Sequence, residues 1–336
     1  MVRVAVIGAG AWGFNHVRAF DQLTDCHLQM VVDKDDKALA RVTTSFRDVK
    51  TEKDYRPVVK QKDLDAVVVT TSAESHYEIA KAALTVGKHV LVEKPLVLRS
   101  DQGEELVQLA EKNGRVLMVG HLLLYHPGVR KLKEYVDSGE LGQIYYMYSS
   151  RINLGKVRTA ENALWSFAPH DISVMLFLTE TMPDLVLATG QSYINPGVED
   201  VTFFTLHFPN NVMGHGQVSW LDPHKIRKIT VVGSKKMVVF DDMESAEKIK
   251  LYDKGVDALE SYDTYGDYQT LRIGDIIIPK VQMSEPLKNE CQHFLDCVQS
   301  GKKPLSDGWN GLQVLRVLEA TQKSLEERGK PVQLKP

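Results

Sequence analysis

Three glycines, Gly8, Gly10 and Gly13, follow at once on the apolar, β-branched run Val2–Ile7. In that spacing the first glycine makes a tight turn and the second lets the backbone approach an anion. The third lets a following helix sit close to the strand. A helix opening near Ala11 and Trp12 would aim its first amides at the same point, so the chemistry is phosphate binding. A second apolar run, Leu28–Val32, ends in Asp33, twenty residues past Gly13. A carboxylate there accepts hydrogen bonds from both hydroxyls of an adenosine ribose and repels a 2′-phosphate. Together these signals indicate NAD rather than NADP, against the bland alternative of a glycine turn beside a solvated aspartate.

Two further stretches carry ionisable groups where they can act on a substrate. In Glu93-Lys94-Pro95 a lysine comes straight after a buried strand, and the proline confines it to an extended or cis-like turn. A cation so held can stabilise charge developing on an oxygen, although a strand-end lysine can equally be solvated. In Trp165-Ser166-Phe167-Ala168-Pro169-His170-Asp171 the proline fits the first turn of a helix running Asp171–Leu178. That predicts His170 at a helix start, where its pKa is lowered and it can accept a proton. A capping or core histidine is the alternative.

Arg151, Asn153, Lys156 and Arg158 surround Gly155. Guanidinium forks bind phosphate oxygens bidentately, so this segment suits a diphosphate, or is a solvated basic loop. The eleven histidines form no HExxH and no Cys/His ligand set, so no metal is expected. His121 is expected to line a pocket or pack, with Tyr125 close by. No G-x-S-x-G elbow is present.

The elements that must position these groups alternate along the first part of the chain. Strands are predicted at Val2–Ile7, Leu28–Val32, Asp65–Thr71, His89–Val92 and Arg115–Val119, with helices over about 11–23, 35–46 and 75–86 and another from Ser100 as N-cap. This is a parallel sheet covered on both faces. Its carboxyl ends would bring Gly8–Gly13, Thr71, Ser72 and His76, and Glu93-Lys94-Pro95 to one crevice. Beyond about residue 120 the pattern changes. After a helix to Asp137, strands are predicted at Gln143–Asn153, Leu185–Ile194, Val201–Phe208, Val212–Ser219, Ile226–Val232, Met237–Phe240 and Lys248–Leu251, with turns at Asn210-Asn211 and Gly233-Ser234. The segment Tyr252–Pro279 is expected to be an irregular loop, followed by closing helices over Leu287–Val298 and Gly311–Leu325. The expected fold is therefore α/β. It has a Rossmann domain at 1–120 and an α+β domain at 121–336 with a largely antiparallel, open-faced sheet.

Composition sets outer bounds. A chain of 336 residues suits two domains, and a net charge of −3 offers no argument for nucleic acid or a membrane surface. Cys26, Cys291 and Cys297 form no CxxC pair, as expected of thiols in a reducing cytoplasm. The short apolar run at the start lacks a basic leader, so no signal peptide is expected.

With the GxGxxG turn and Asp33, the Thr70–His76 segment, Glu93-Lys94-Pro95 and the ending Glu285-Pro286-Leu287 to Asp307-Gly308, the chain resembles the Gfo/Idh/MocA family of NAD(P)-dependent sugar oxidoreductases. The resemblance covers nearly the whole chain and implies a role for Lys94 at both the nicotinamide ribose and the reacting hydroxyl. It also implies His170 as the base, with a Lys94 whose pKa is depressed by burial as the alternative proton acceptor. Many relatives carry Asp four residues before that histidine, where this chain has Ser166; adjacent Asp171 either substitutes for it or is a helix-start charge. Within the family the basic segment and the Trp165–Asp171 block are most similar to the nucleotide-sugar 3-dehydrogenase branch, of the UDP-N-acetylglucosamine 3-dehydrogenase type. That likeness implies oxidation of a sugar C3 hydroxyl, with Trp165 and the basic residues at the substrate and an aminotransferase downstream. It also implies a homodimer or homotetramer through the open sheet face. The alternatives are UDP-N-acetylglucosaminuronate, a free inositol or aldose, reduction of a 3-keto sugar, or a silent NAD-sensing module.

Overall fold

The computed structural model describes residues 1–257 and 270–334. The chain divides into two compact units, Met1–Tyr125 with Ser284–Arg316, and His126–Met283 with Val317–Pro336.

The first unit opens β1 (Val2–Ile7), α1 (Gly13–Asp21), β2 (Cys26–Val32), α2 (Asp36–Ser45), β3 (Lys50–Glu52), α3 (Tyr55–Val59) and β4 (Ala66–Val69). It continues α4 (His76–Thr85), β5 (His89–Glu93), α5 (Ser100–Lys112) and β6 (Leu117–Gly120). All six strands run parallel in the order β3-β2-β1-β4-β5-β6. Continuous β-branched runs form them because both faces are covered: Val4, Val6, Val67, Val68 and Val90 are wholly buried. Strand order reverses between β1 and β4, and the turns at Gly8 and Thr70 leave from the carboxyl ends of those two strands, where ligands collect in such sheets. The short, polar β3 and α3 escape a periodicity reading. Ser100 is the first residue of α5 rather than its cap, a position held by Arg99.

The second unit begins with α6 (Pro127–Asp137), β7 (Ile144–Ile152), α7 (Ala163–Thr179), β8 (Leu185–Gln191), β9 (Val201–Phe208), β10 (Val212–Ser219), β11 (Ile226–Gly233), β12 (Met237–Asp241), β13 (Ile249–Asp257) and β14 (Thr270–Ile277). The chain closes with α8 (Pro286–Ser300), which belongs to the first unit, α9 (Gly308–Glu326) and β15 (Val332–Gln333). The nine-stranded sheet runs β14-β13-β12-β11-β7-β10-β9-β8-β15, every pair antiparallel except β7 with β10. Alternation along β7 buries Met147, Ser149 and Arg151 while Tyr146 and Tyr148 stay exposed, their rings stacked 6.3 Å apart.

Two sequence expectations fail here. The stretch 252–279 is not an irregular loop throughout, because β13 reaches Asp257 and pairs with β14; residues 258–269 lie outside the described residues. Nor does a helix begin at Pro169. Asn162 caps α7, accepting from the Trp165 amide at 3.1 Å, so the proline stands seventh in the helix and His170 lies mid-helix. The missing proline N–H costs one interior hydrogen bond, which the buried setting of α7 outweighs. Among the described residues no helix is long and apolar enough to cross a membrane.

Candidate active site

In the first unit the glycine turn is locked from three sides. Gly8 has φ +103°, and a Cβ there would lie 2.8 Å from the Thr70 carbonyl group. A Cβ on Gly13 would lie 2.1 Å from the Gly8 carbonyl oxygen, so only glycine lets α1 pack this closely. Thr70 Oγ1 donates to that same oxygen at 2.7 Å. Gly10 differs: a Cβ there would meet no atom within 4 Å. Packing therefore does not require glycine at 10, and the open space is where a pyrophosphate would approach the backbone. Beside it the Asp33 carboxylate accepts from the Ala9 amide at 2.6 Å and from the Asp35 amide at 2.9 Å. Open room over Gly10 and a fixed carboxylate at its edge fit NAD.

A single buried carboxylate ties this loop to Lys94. The Trp12 indole Nε1 donates to Glu93 Oε1 at 2.5 Å, His16 Nε2 lies 2.7 Å from the same oxygen, and the Lys94 backbone amide donates to Oε2 at 3.1 Å. Burial alone would raise the Glu93 pKa. The bonds from His16 and Trp12, with Lys94 near, instead hold it below the ordinary carboxylate range. Glu93 thus works from inside, as a support for Trp12 and Lys94. The Lys94–Pro95 peptide is cis.

His76 is likewise a brace, its ring nitrogens 2.8 Å from the Pro95 carbonyl oxygen and 3.1 Å from that of Thr71. Thr71 is further fixed by Ser75 Oγ, which donates to its hydroxyl at 2.7 Å, with Ser72 beside it. Trp12, Glu93 and Lys94, and through Pro95 also His76 and Thr71, are therefore linked within one unit. Thr70, and His16, which the sequence reading did not single out, complete the links.

His121 is buried, and neither ring nitrogen has a hydrogen-bond partner among the described residues; burial pushes its pKa down to about 4, keeping it neutral. The Tyr125 hydroxyl is buried and shares a 2.8 Å hydrogen bond with Ser306 Oγ, so it is committed to packing.

In the second unit His170 is half-buried on α7, and the helix-start argument for a lowered pKa lapses with its mid-helix position. Ser166, at the position where the resemblance led to the expectation of Asp, is buried. Asp171 is buried against Arg151, with Nε to Oδ2 at 2.8 Å and Nη2 to Oδ1 at 3.1 Å. The basic residues around Gly155 therefore split. Arg151 points inward, Lys156 is exposed, and exposed Arg158 pairs with Glu161. The Asn153 backbone N–H donates to the Ser219 carbonyl at 3.1 Å, and Trp165 Nε1 donates to Gln322 Oε1 at 3.1 Å.

Residues 2–121 match the family model described as oxidoreductase family, NAD-binding Rossmann fold. Residues 129–239 match the GFO/IDH/MocA C-terminal domain. The chain is 26% identical to scyllo-inositol 2-dehydrogenase (NAD(+)) of Bacillus subtilis (strain 168), over 99% of this chain and 96% of that protein. It is 29% identical to an inositol 2-dehydrogenase of Salmonella typhimurium, where it spans about half of each chain, 53% and 54%. Among solved structures, UDP-N-acetylglucosamine 3-dehydrogenase GnnA from Acidithiobacillus ferrooxidans shares the fold with a TM-score of 0.81, at 21% identity and 97% coverage of both chains.

Proposed function

The chain belongs to the Gfo/Idh/MocA family of NAD-binding oxidoreductases, and on that premise we propose that it oxidises a secondary hydroxyl of a free cyclic polyol or aldose. One observation carries the choice of substrate class. The Arg151 fork, one of the three basic side chains expected at a diphosphate, is buried and spent on Asp171. An uncharged ring needs hydroxyl partners and no diphosphate clamp. The inositol dehydrogenases named above support the same reading.

NAD, when bound, supplies the hydride acceptor. Gly10 leaves room for its pyrophosphate, and Asp33 holds its adenosine ribose. An alcohol gives up hydride readily only as its O–H proton leaves. In this reading His170 takes that proton, and the Lys94 ammonium donates to the same oxygen, stabilising alkoxide charge. Asp171 is excluded as a second base because its carboxylate is closed off by Arg151.

A UDP-sugar is the second reading, favoured by exposed Lys156 and Arg158. Near-ultraviolet absorbance of NADH on mixing enzyme and NAD with inositols, aldoses and UDP-sugars separates the two. Turnover of inositols or aldoses without UDP-sugars supports the proposal, and turnover of UDP-N-acetylglucosamine alone, pulled by an aminotransferase and glutamate, overturns it. The open sheet face that exposes Tyr146, Tyr148, Phe203 and Met213 is proposed to seat a second copy of the chain.

A further inference from the structure

Glu290, on α8, is a buried carboxyl. Its side chain is fully buried, and neither oxygen has a hydrogen-bond partner among the described residues. One of those oxygens lies within 4.8 Å of both a Glu93 carboxylate oxygen and a His16 ring nitrogen. Two buried carboxyl groups this close cannot both be ionised without compensation. Glu93 has the donors: Trp12, His16 and the Lys94 amide. Glu290 has none among the described residues, so a charge there would be buried and unpaired.

The surrounding groups agree. Burial keeps the Cys291 thiol protonated, and its Sγ lies 3.9 Å from His16 Nδ1. A thiol donating to Nδ1 leaves the ring proton on Nε2, facing Glu93, with no lone pair there for a metal ion. His121 is neutral, and the Tyr125 hydroxyl is tied to Ser306, while Lys94, whose charge acts on Glu93 and whose backbone amide bonds it, favours the ionised form of Glu93.

We propose that Glu93 and Glu290 hold one proton between them, resident on Glu290, and that Glu290 is thereby a positioning residue. Its neutrality leaves the full negative charge on Glu93, which fixes Trp12 in the glycine loop and the backbone of Lys94. The proposal rests on the reading of that loop and Lys94 as the NAD machinery.

Infrared spectra of the full-length protein at neutral pH test it. A protonated-carboxyl carbonyl band that shifts in D2O is expected, and Glu290→Gln removes it. NAD affinity, followed by tryptophan fluorescence, falls about tenfold in Glu290→Ala, where water admitted to the vacated space competes with Trp12 and Lys94 for Glu93, and is restored by Glu290→Gln, which is neutral and fills that space. Absence of the band overturns the proposal even if the alanine variant fails to fold. So does a Glu290→Gln affinity as poor as alanine's, or one equivalent of bound metal that Glu290→Gln releases. Neither readout needs a sugar, so failure to find a substrate leaves this test intact.

Discussion

Asp171 holds Arg151 through two hydrogen bonds, 2.8 Å to Nε and 3.1 Å to Nη2, with both side chains buried between α7 and β7. Removing one partner strands the other charge, so Arg151→Ala should lose about 3–5 kcal/mol of stability in denaturant unfolding. UDP affinity, by titration calorimetry, should not depend on Arg151. A fully stable Arg151→Ala that has lost a measurable UDP contact would show the guanidinium serving a ligand instead.

Asp33 is fixed by the Ala9 and Asp35 amides, leaving its remaining lone pairs for ribose hydroxyls. Each bond to an ionised group is worth about 1.5–3 kcal/mol. Asp33→Ala should therefore weaken NAD at least about tenfold. NADP, freed from repulsion by the carboxylate, should weaken far less or improve. Titration of both dinucleotides checks this, and an unchanged NAD-to-NADP ratio sinks the ribose role.

The first unit was readable because its chemistry is local. Val2–Ile7, Gly8 to Gly13 and α1 are contiguous, and β-branched runs mark strands covered on both faces. The second unit shows where sequence runs out. Pro169 carries a strong helix-start signal, yet Asn162 starts α7 two turns earlier, since an interior proline is tolerated where the helix is buried. β14 reads Thr270-Leu-Arg-Ile-Gly-Asp-Ile-Ile, whose glycine and charges resemble a loop until the strand is paired with β13. No spacing rule announces that Arg151 and Asp171, twenty residues apart, will spend each other's charge, or that Glu290 will come to lie beside Glu93.

His170 and Lys94 are the residues whose loss should separate chemistry from binding. A positioned proton acceptor is worth about 10²–10⁴-fold in rate. His170→Ala should lower kcat on that scale while NAD affinity stays near wild type. Lys94→Met should lower kcat as well. Full turnover in His170→Ala removes the imidazole from the mechanism.

The exposed tyrosines of β7 give a test of assembly. If a second copy covers that face, sedimentation should show a dimer or tetramer. A Tyr146→Lys, Tyr148→Lys variant should then sediment as a smaller species with an unchanged unfolding midpoint of the monomer. A monomeric wild type ends this reading.

Stability toward acid should be governed in part by His126 and Asp242. His126 Nδ1 accepts from the Gly128 amide at 3.0 Å, so Nε2 carries the ring proton and faces Asp242 Oδ1 at 3.4 Å. The His126 hydrogen bond, with Lys248 and Arg227 nearby, holds the Asp242 pKa down at about 2 against the pull of burial. The folded value lies below the unfolded one of about 3.9, so this carboxylate's contribution is complete above both and fades as pH falls through about 2. A difference of that size corresponds to about 2–3 kcal/mol. Asp242→Asn should therefore be less stable than wild type by about that amount at neutral pH, and the gap should close in strong acid. Denaturant unfolding of both proteins across the acid range measures it. A gap that stays constant with pH would assign the loss to packing rather than to the charge.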